Sequence, residues 1–357
     1  MNWRYLLYPC ALIYGGVASL RRWLYRKRIV TPFQADIPVI SVGNLAVGGT
    51  GKTPHTLFLT EILSQKHSIA LLSRGYGRTT KGYLLANQYD TNSLTAEKIG
   101  DEPLLMHNRY PNIPLAVDGN RKEGILKLLS QYPDLEAIVM DDAMQHVSVQ
   151  PSCQILLTEF HHPFVDDCPM PAGSLREFKC GAAVADFVVV TKTDVSEEII
   201  DPQQWRKKLH LLDNQELYFT RYQYNELRPE TESAKQIVLN ENTKEVLLTG
   251  IAHPAPLLQH LQSRFSEIQH VECRDHHTFS QRELLNLKEQ YFNDSQQDTI
   301  LITTEKDWMR LQSENVKKIV SLLPVFTIPI RVEFLFEQEI NFIKRIENYV
   351  SRKDQKD

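Results

Sequence analysis

The stretch "SVGNLAVGGTGKTP", residues 41–54, constrains this chain more than any other. It follows the apolar run "DIPVI" and precedes "HTLFLTEILSQKH", whose apolar positions recur at helical spacing. A strand, a glycine-rich turn and a helix in that order form an anion cradle. The turn aims backbone N–H groups inward, and the helix adds the positive end of its dipole. The phosphate-loop pattern G-x-x-x-x-G-K-[ST] is met at Gly51, Lys52 and Thr53, but Ala46 stands in its first position. Gly48 and Gly49 lie inside the loop and restore the backbone freedom, with Thr50 between them and Gly51. Lys52 is expected at the β- and γ-phosphates and the Thr53 hydroxyl on Mg²⁺. Pro54 fits the first turn of a helix, where N–H groups lack partners anyway.

A second run supports this reading. "LEAIVMDDAMQH" is an apolar strand ending in Asp141 and Asp142, a carboxylate position that lies near the loop in such folds and can hold Mg²⁺. The bland alternative is a pair of turn aspartates capping a helix. "VVVTKTD" resembles the [NT]-K-x-D element that reads guanine, which raises GTP as a rival nucleotide on a four-residue pattern. Continuous apolar strands alternate with helical segments through 36–194, as a parallel sheet covered on both faces requires. In "GDEP", Asp101 and Glu102 fall in the first turn of a helix, where its dipole favours anions. Residues 213–235 are polar and aromatic and are taken as a linker of β-ribbon character. A second α/β unit follows, with strands expected at 244–251, 268–274, 299–307 and 324–332. The expected fold is thus α/β: a P-loop NTPase-like, mainly parallel sheet covered by helices over 36–225, and a smaller α/β domain over 226–350. The tail, 351–357, is expected to be disordered.

Bulk properties exclude some classes. The formal net charge of −4 gives no support to nucleic-acid binding by attraction. The 5 cysteines include no C-x-x-C pair, so neither a disulfide framework nor a zinc ribbon is expected, and a reducing cytosol fits. The N-terminus departs from the average. "YLLYPCALIYGGVASL" (5–20) is apolar and "RRWLYRKR" (21–28) follows, the reverse of a signal peptide's order. The run is shorter than the roughly 20 residues a spanning helix needs. Residues 1–35 are therefore read as an amphipathic membrane-contact segment, with Trp3 and Trp23 suited to the interface and the basic cluster to an anionic surface. The alternative is a helix packed on the domain with a solvated basic end.

Eight stretches in order resemble the tetraacyldisaccharide 4′-kinase family: "SVGNLAVGGTGKTP", "LLSRGYGR", "GDEP", "DGNR", "MDDAMQH", "AGSLRE", "DHHTF" and "TTEKD". The resemblance spans residues 1 to about 335. Ala143-Met144 departs mildly from the family's pattern, and Ala46 accords with it. The resemblance implies transfer of the ATP γ-phosphate to the 4′-hydroxyl of a tetraacylated glucosamine disaccharide 1-phosphate, giving lipid IVA, with Mg²⁺ as cofactor. It implies a peripheral enzyme on the cytoplasmic face of the inner membrane, expected to be monomeric, that takes the lipid A disaccharide precursor as partner. By the same resemblance Asp101 is the base for the sugar hydroxyl and His276 its pair, with His277 as the alternative. Lys52 and Asp142 complete the catalytic set. Gln145, Arg176, Glu305 and Lys306 are implied at the nucleotide, and Thr53, Asp141, Asp142 and Glu177 at Mg²⁺. Asn44, Arg74, Arg78, Arg121 and His146 are implied at the substrate. Without the resemblance, Asp101 reads as a helix-terminal carboxylate and His276 as a loop histidine. The rival functions are a regulatory or metallochaperone-type NTPase acting through a protein partner, and a non-catalytic membrane-binding protein with a vestigial loop.

Overall fold

The computed structural model describes residues 7–90, 93–240, 243–265, 267–292 and 299–351. Trp3 and, beyond Ser351, the tail expected to be disordered lie outside the described residues. After α1 (Tyr8–Arg26) come β1 (Val39–Asn44), α2 (Lys52–Ser64), β2 (Ile69–Ser73), β3 (Leu84–Leu85), α3 (Ala96–Ile99), α4 (Asp101–Arg109), β4 (Leu115–Val117) and α5 (Arg121–Gln131). Next are β5 (Ala137–Asp141), β6 (Cys153–Glu159), β7 (Phe187–Thr191), α6 (Pro202–Lys208), β8 (Glu216–Tyr224), β9 (Arg228–Pro229) and α7 (Glu232–Lys235). The remainder supplies β10 (Lys244–Thr249), α8 (Ala255–Gln262), β11 (Ile268–Glu272), α9 (Gln281–Tyr291), β12 (Thr299–Thr304) and α10 (Glu305–Leu311). α11 (Lys317–Val320), β13 (Val325–Ile328), β14 (Ile330–Phe334) and α12 (Glu339–Ser351) close the chain.

The larger sheet runs β14-β8-β7-β6-β1-β5-β2-β4-β3. β1 lies between β5 and β6 and pairs in parallel with both. From β1 the chain winds one way to β2 and β4, returns to β5, then crosses to β6, β7 and β8. The winding therefore reverses at β1, and open α/β sheets bind ligands outside the carboxyl end of such a switch point. Every residue of β1 is buried, which is why its sequence reads as a continuous apolar run. The smaller sheet runs β11-β10-β12-β13-β9, with β9 antiparallel on its edge.

Two expected segments differ from what forms. The stretch taken as a linker holds β8, which joins the larger sheet parallel to β7 and pairs antiparallel with β14. The single strand expected over 324–332 is two strands in different sheets. Pro329 separates β13, parallel to β12, from β14, antiparallel to β8. Proline lacks the N–H a continuing ladder needs, so the chain changes sheets there. β14 and α12, grouped by sequence with the second unit, pack on the first. Phe334 and Phe342 lie 4.7 Å apart, centroid to centroid, and join Phe58 at 5.2 Å and Tyr218 at 5.0 Å. Aromatic pairs of this kind add about 0.5–1.5 kcal/mol each beyond burial.

Helix α1 is amphipathic in use. Ala11 and Gly15 are buried, and a Cβ on Gly15 would stand 2.8 Å from the Phe178 ring. Leu12, Ile13, Val17 and Leu20 are exposed. Among the described residues, no helix is long and apolar enough to cross a membrane.

Candidate active site

The loop after β1 is tied down from below. Asn44 is fully buried, donates its amide to Thr50 Oγ1 at 2.7 Å, and accepts from Lys52 Nζ at 3.5 Å. It thus supports the loop from within. Thr191 of the "TKTD" run donates its hydroxyl to the Thr50 carbonyl at 2.9 Å, while Lys192 is paired with Glu159. Gly51 caps α2 with φ of 96°, and a Cβ there would fall 2.2 Å from the Tyr222 hydroxyl. Only glycine satisfies both conditions. His55, one turn into α2, contacts the Gly51 carbonyl at 2.8 Å and Thr220 Oγ1 at 3.0 Å. Burial drives its pKa down to about 4, so it serves as a neutral strut between the loop and β8.

Lys52 reaches across the loop to Asp142, 3.7 Å away, and Arg176 holds the same carboxylate at 2.9 Å. Burial would raise the Asp142 pKa, but the charges of Lys52 and Arg176 outweigh it and keep the group below its ordinary range. Asp141 sits behind it, fully buried, and accepts from Thr56 at 3.1 Å. Burial, Glu102 and Asp142 push its carboxyl up to about 7. Thr53 is buried and lines the cleft. Gln145 donates to the Asn44 carbonyl at 2.7 Å and accepts from Arg176 at 3.2 Å. Glu177 gives both oxygens to Arg22 of α1, at 2.6 and 2.7 Å, and Arg22 also donates to the Met144 carbonyl at 3.0 Å. One cation of the N-terminal basic cluster is therefore turned inward, onto the carboxylate that the resemblance assigned to metal.

The second group of residues joins the two lobes. Asp101 opens α4 behind Gly100, whose φ is 97°. Its Oδ2 accepts from Arg310 Nε at 2.9 Å and Nη2 at 2.5 Å, and lies 3.2 Å from His276 Nδ1. Burial alone would raise its pKa. The neighbouring His276 and the charges of Lys306 and Arg310 overcome this and hold it well below the carboxylate range. Glu102 pairs with Lys306 at 2.5 Å. Glu305 is buried against Arg109 at 3.2 Å and Arg228 at 3.4 Å. His277, the alternative histidine, pairs with Glu283 at 3.1 Å instead.

The phosphate loop, Asp142, Arg176, Glu102, His276 and Lys306 line one cavity of ≈ 1380 Å³ that also reaches Tyr14, Ala18 and Arg21 of α1, and the buried Asp101 adjoins it through His276. Arg74 and His146 line it. Burial, with Arg121 and Arg74 nearby, lowers the His146 pKa to about 4. Arg78 is tied to its own loop through the Gly82 carbonyl at 2.5 Å and belongs to a smaller pocket with Lys81 and Asp118. Arg121 is fully buried and donates to the carbonyls of Asp118 and Asp141, so it braces β5 rather than facing the cleft. Sequence reasoning missed Arg310, Arg22 and Thr56. Arg310 and Thr56 sit in no recognisable pattern, Arg22 was read only as one cation of the basic cluster, and the partners of Arg310 and Arg22 are 209 and 155 residues away.

Among the described residues, no group of three or more His, Cys, Asp or Glu side chains could by itself hold a metal ion. Mg²⁺ sites commonly need only one or two carboxylates, with substrate phosphates completing the shell. The crowding of Asp141, Asp142 and Glu102 around Lys52 is the electrostatic setting that a dication relieves.

The family description "Tetraacyldisaccharide-1-P 4'-kinase" matches residues 3–351. The chain belongs to this kinase family. It is 40% identical over 360 residues to the tetraacyldisaccharide 4′-kinase of Bacteroides thetaiotaomicron, covering 96% of this chain and 92% of that one. It is 39% identical to the Flavobacterium johnsoniae enzyme of the same name, covering 97% of each. Its fold resembles that of LpxK from Aquifex aeolicus, solved in complex with ATP. The TM-score is 0.73 at 23% identity, over 97% of this chain and 99% of that one. Membership in the kinase family does not favour the regulatory-NTPase alternative.

Proposed function

We propose that the chain transfers the γ-phosphate of ATP to the 4′-hydroxyl of tetraacyldisaccharide 1-phosphate, yielding lipid IVA and ADP. The observation that carries this reading is that the phosphate loop shares one cleft with Glu102 and His276, the immediate neighbours of the buried, ionised carboxylate of Asp101, and that this cleft opens onto the apolar helix α1. Asp101 takes the hydroxyl proton as the sugar oxygen attacks the γ-phosphorus and the bond to the β-phosphate oxygen breaks. Lys52 and Arg176 offset the charge on the transferring group. Arg74 and His146 supply polar contacts to the disaccharide. Mg²⁺ would be held by the Thr53 hydroxyl and Asp142 beside the phosphates, where it would neutralise charge. Asp141 backs that site, and Glu177 joins it only by leaving Arg22.

The exposed Leu12, Ile13, Val17 and Leu20 and the adjacent cations support peripheral attachment to the cytoplasmic face of the inner membrane, with acyl chains remaining in the bilayer. The test is incubation with radiolabelled ATP and the disaccharide acceptor. Label should enter the lipid with wild-type protein and should not with folded Lys52→Ala or Asp101→Ala. Release of inorganic phosphate without lipid labelling would instead favour an NTPase acting through a protein partner.

A further inference from the structure

The base and its histidine are not alone. Arg310 carries five N–H donors in a rigid fork and no acceptor. Its Nε and one Nη2 proton point to Asp101 Oδ2, at 2.9 and 2.5 Å. Its two Nη1 protons go to the Gly250 carbonyl and Asp307 Oδ1, each at 2.8 Å. The fifth donor, on Nη2, faces His276 Nδ1 at 3.1 Å. That contact is a hydrogen bond only when Nδ1 carries no proton. The approach of the same Nδ1 to Asp101 Oδ2, 3.2 Å, is a hydrogen bond only when Nδ1 is protonated. Both cannot hold together. Arg310 is buried, fixed by four other bonds, and cannot withdraw one donor without leaving it unpaired. Asp101 already has its oxygens satisfied: Oδ2 by Arg310, and Oδ1 by the Glu102 backbone N–H at 2.9 Å.

We propose that Arg310 is the fixed charge partner of Asp101, and that its fifth donor sets the neighbouring His276 as the tautomer protonated on Nε2. The sugar hydroxyl's proton then goes to a carboxylate held by a guanidinium. The imidazole keeps its own proton on the nitrogen turned away from Asp101, available as a donor to substrate. Arg310 acts through Asp101 and is a positioning residue. This rests on the reading of Asp101 as the base.

The groups facing Asp101 are few. Its own helix gives Glu102, α10 gives Lys306, Asp307 and Arg310, and the loop after β11 gives Asp275 and His276. Tyr76 packs against the His276 ring at 5.9 Å. With Arg310 neutralised, Lys306 remains the only lysine or arginine among them, and Glu102 already engages it.

The test compares wild type, Arg310→Met and Arg310→Lys in two measurements. The first is the pH profile of kcat. A base must be ionised, so its pKa sets the acid limb. Removing an adjacent cation moves a carboxylate up by about 1–3 pH units. The acid limb of Arg310→Met should rise by that amount, and Arg310→Lys should restore most of it. The second is the nitrogen NMR of His276, identified by its loss in His276→Gln. Wild type should show Nδ1 unprotonated, and both variants should lose that fixed tautomer because neither side chain supplies the fork. If Arg310→Met does not fold, Arg310→Lys still reports the tautomer. A folded Arg310→Met with an unmoved acid limb, or a wild-type signal showing Nδ1 protonated, overturns the proposal. Full activity in Asp101→Asn would refute the base reading instead, and the NMR result would stand apart from it.

Discussion

The contact between Arg22 and Glu177 makes a quantitative prediction about helix α1. The pair is bidentate, with side chains 15% and 4% exposed. Replacing Arg22 with Met leaves the Glu177 carboxylate buried with the Gln145 amide, at 3.4 Å, as its remaining hydrogen-bond partner among the described residues. Breaking one side of a buried pair costs about 3–5 kcal/mol, and the slight exposure of Arg22 argues for the lower end. Within α1 only Ala11 and Gly15 are buried among the described residues, so the loss should appear as local detachment of the helix rather than global unfolding. At about 1.4 kcal/mol per tenfold, a 3 kcal/mol loss raises the opening equilibrium by roughly a hundredfold. Amide hydrogen exchange across residues 8–26 measures it directly. The double variant Arg22→Met/Glu177→Gln removes the stranded charge and should recover much of the protection. Unchanged exchange in Arg22→Met, or a loss of equal size in the Glu177→Gln background, would refute the argument that this pair anchors the helix.

Other outcomes follow from the same geometry. Gly51→Ala should weaken ATP binding at least tenfold, because it combines a strained φ with a clash at Tyr222; equilibrium titration with nucleotide checks it. Deleting residues 1–28 should release the protein from anionic vesicles in a sedimentation assay, and continued tight association would place the anchor elsewhere. His55 gives a pH dependence. Its folded pKa, near 4, lies below the ordinary 6.5, so the unfolded chain takes up the proton first as pH falls. Its contribution is intact above pH 6.5 and is lost by pH 4, amounting to about 3 kcal/mol. Urea midpoints at pH 7 and 5 should differ less in His55→Gln than in wild type.

What could be read from sequence was whatever local rules dictate. The loop from Gly48 to Thr53 announces itself because its backbone conformation demands glycines beside a lysine. The strand before it is legible because burial on both faces leaves an uninterrupted apolar run. The first turn of α4 is legible because Gly100 and two acids mark a helix start. The β13–β14 break was lost because "PVFTIPIRV" satisfies strand periodicity throughout, and only the sheets on either side of Pro329 reveal the change. Asn44 and Arg121, implied at the substrate by the family resemblance alone, are both fully buried, a placement that folding decides and no local pattern announces. Arg310 and Arg22 were illegible because a single cation acquires meaning only from a carboxylate that folding brings to it.

The chain passes between lobes twice within a short distance. β8 ends at Tyr224, β9 begins at Arg228, and β13 gives way to β14 at Pro329. The two crossings are stitched together where the Asn225 N–H meets the Pro329 carbonyl at 2.9 Å. Paired strands side by side behave as a door hinge: they resist sliding and permit swing. Asp101 belongs to the frame, while His276 and Arg310 belong to the door. The carboxylate therefore holds its guanidinium only where the two lobes meet.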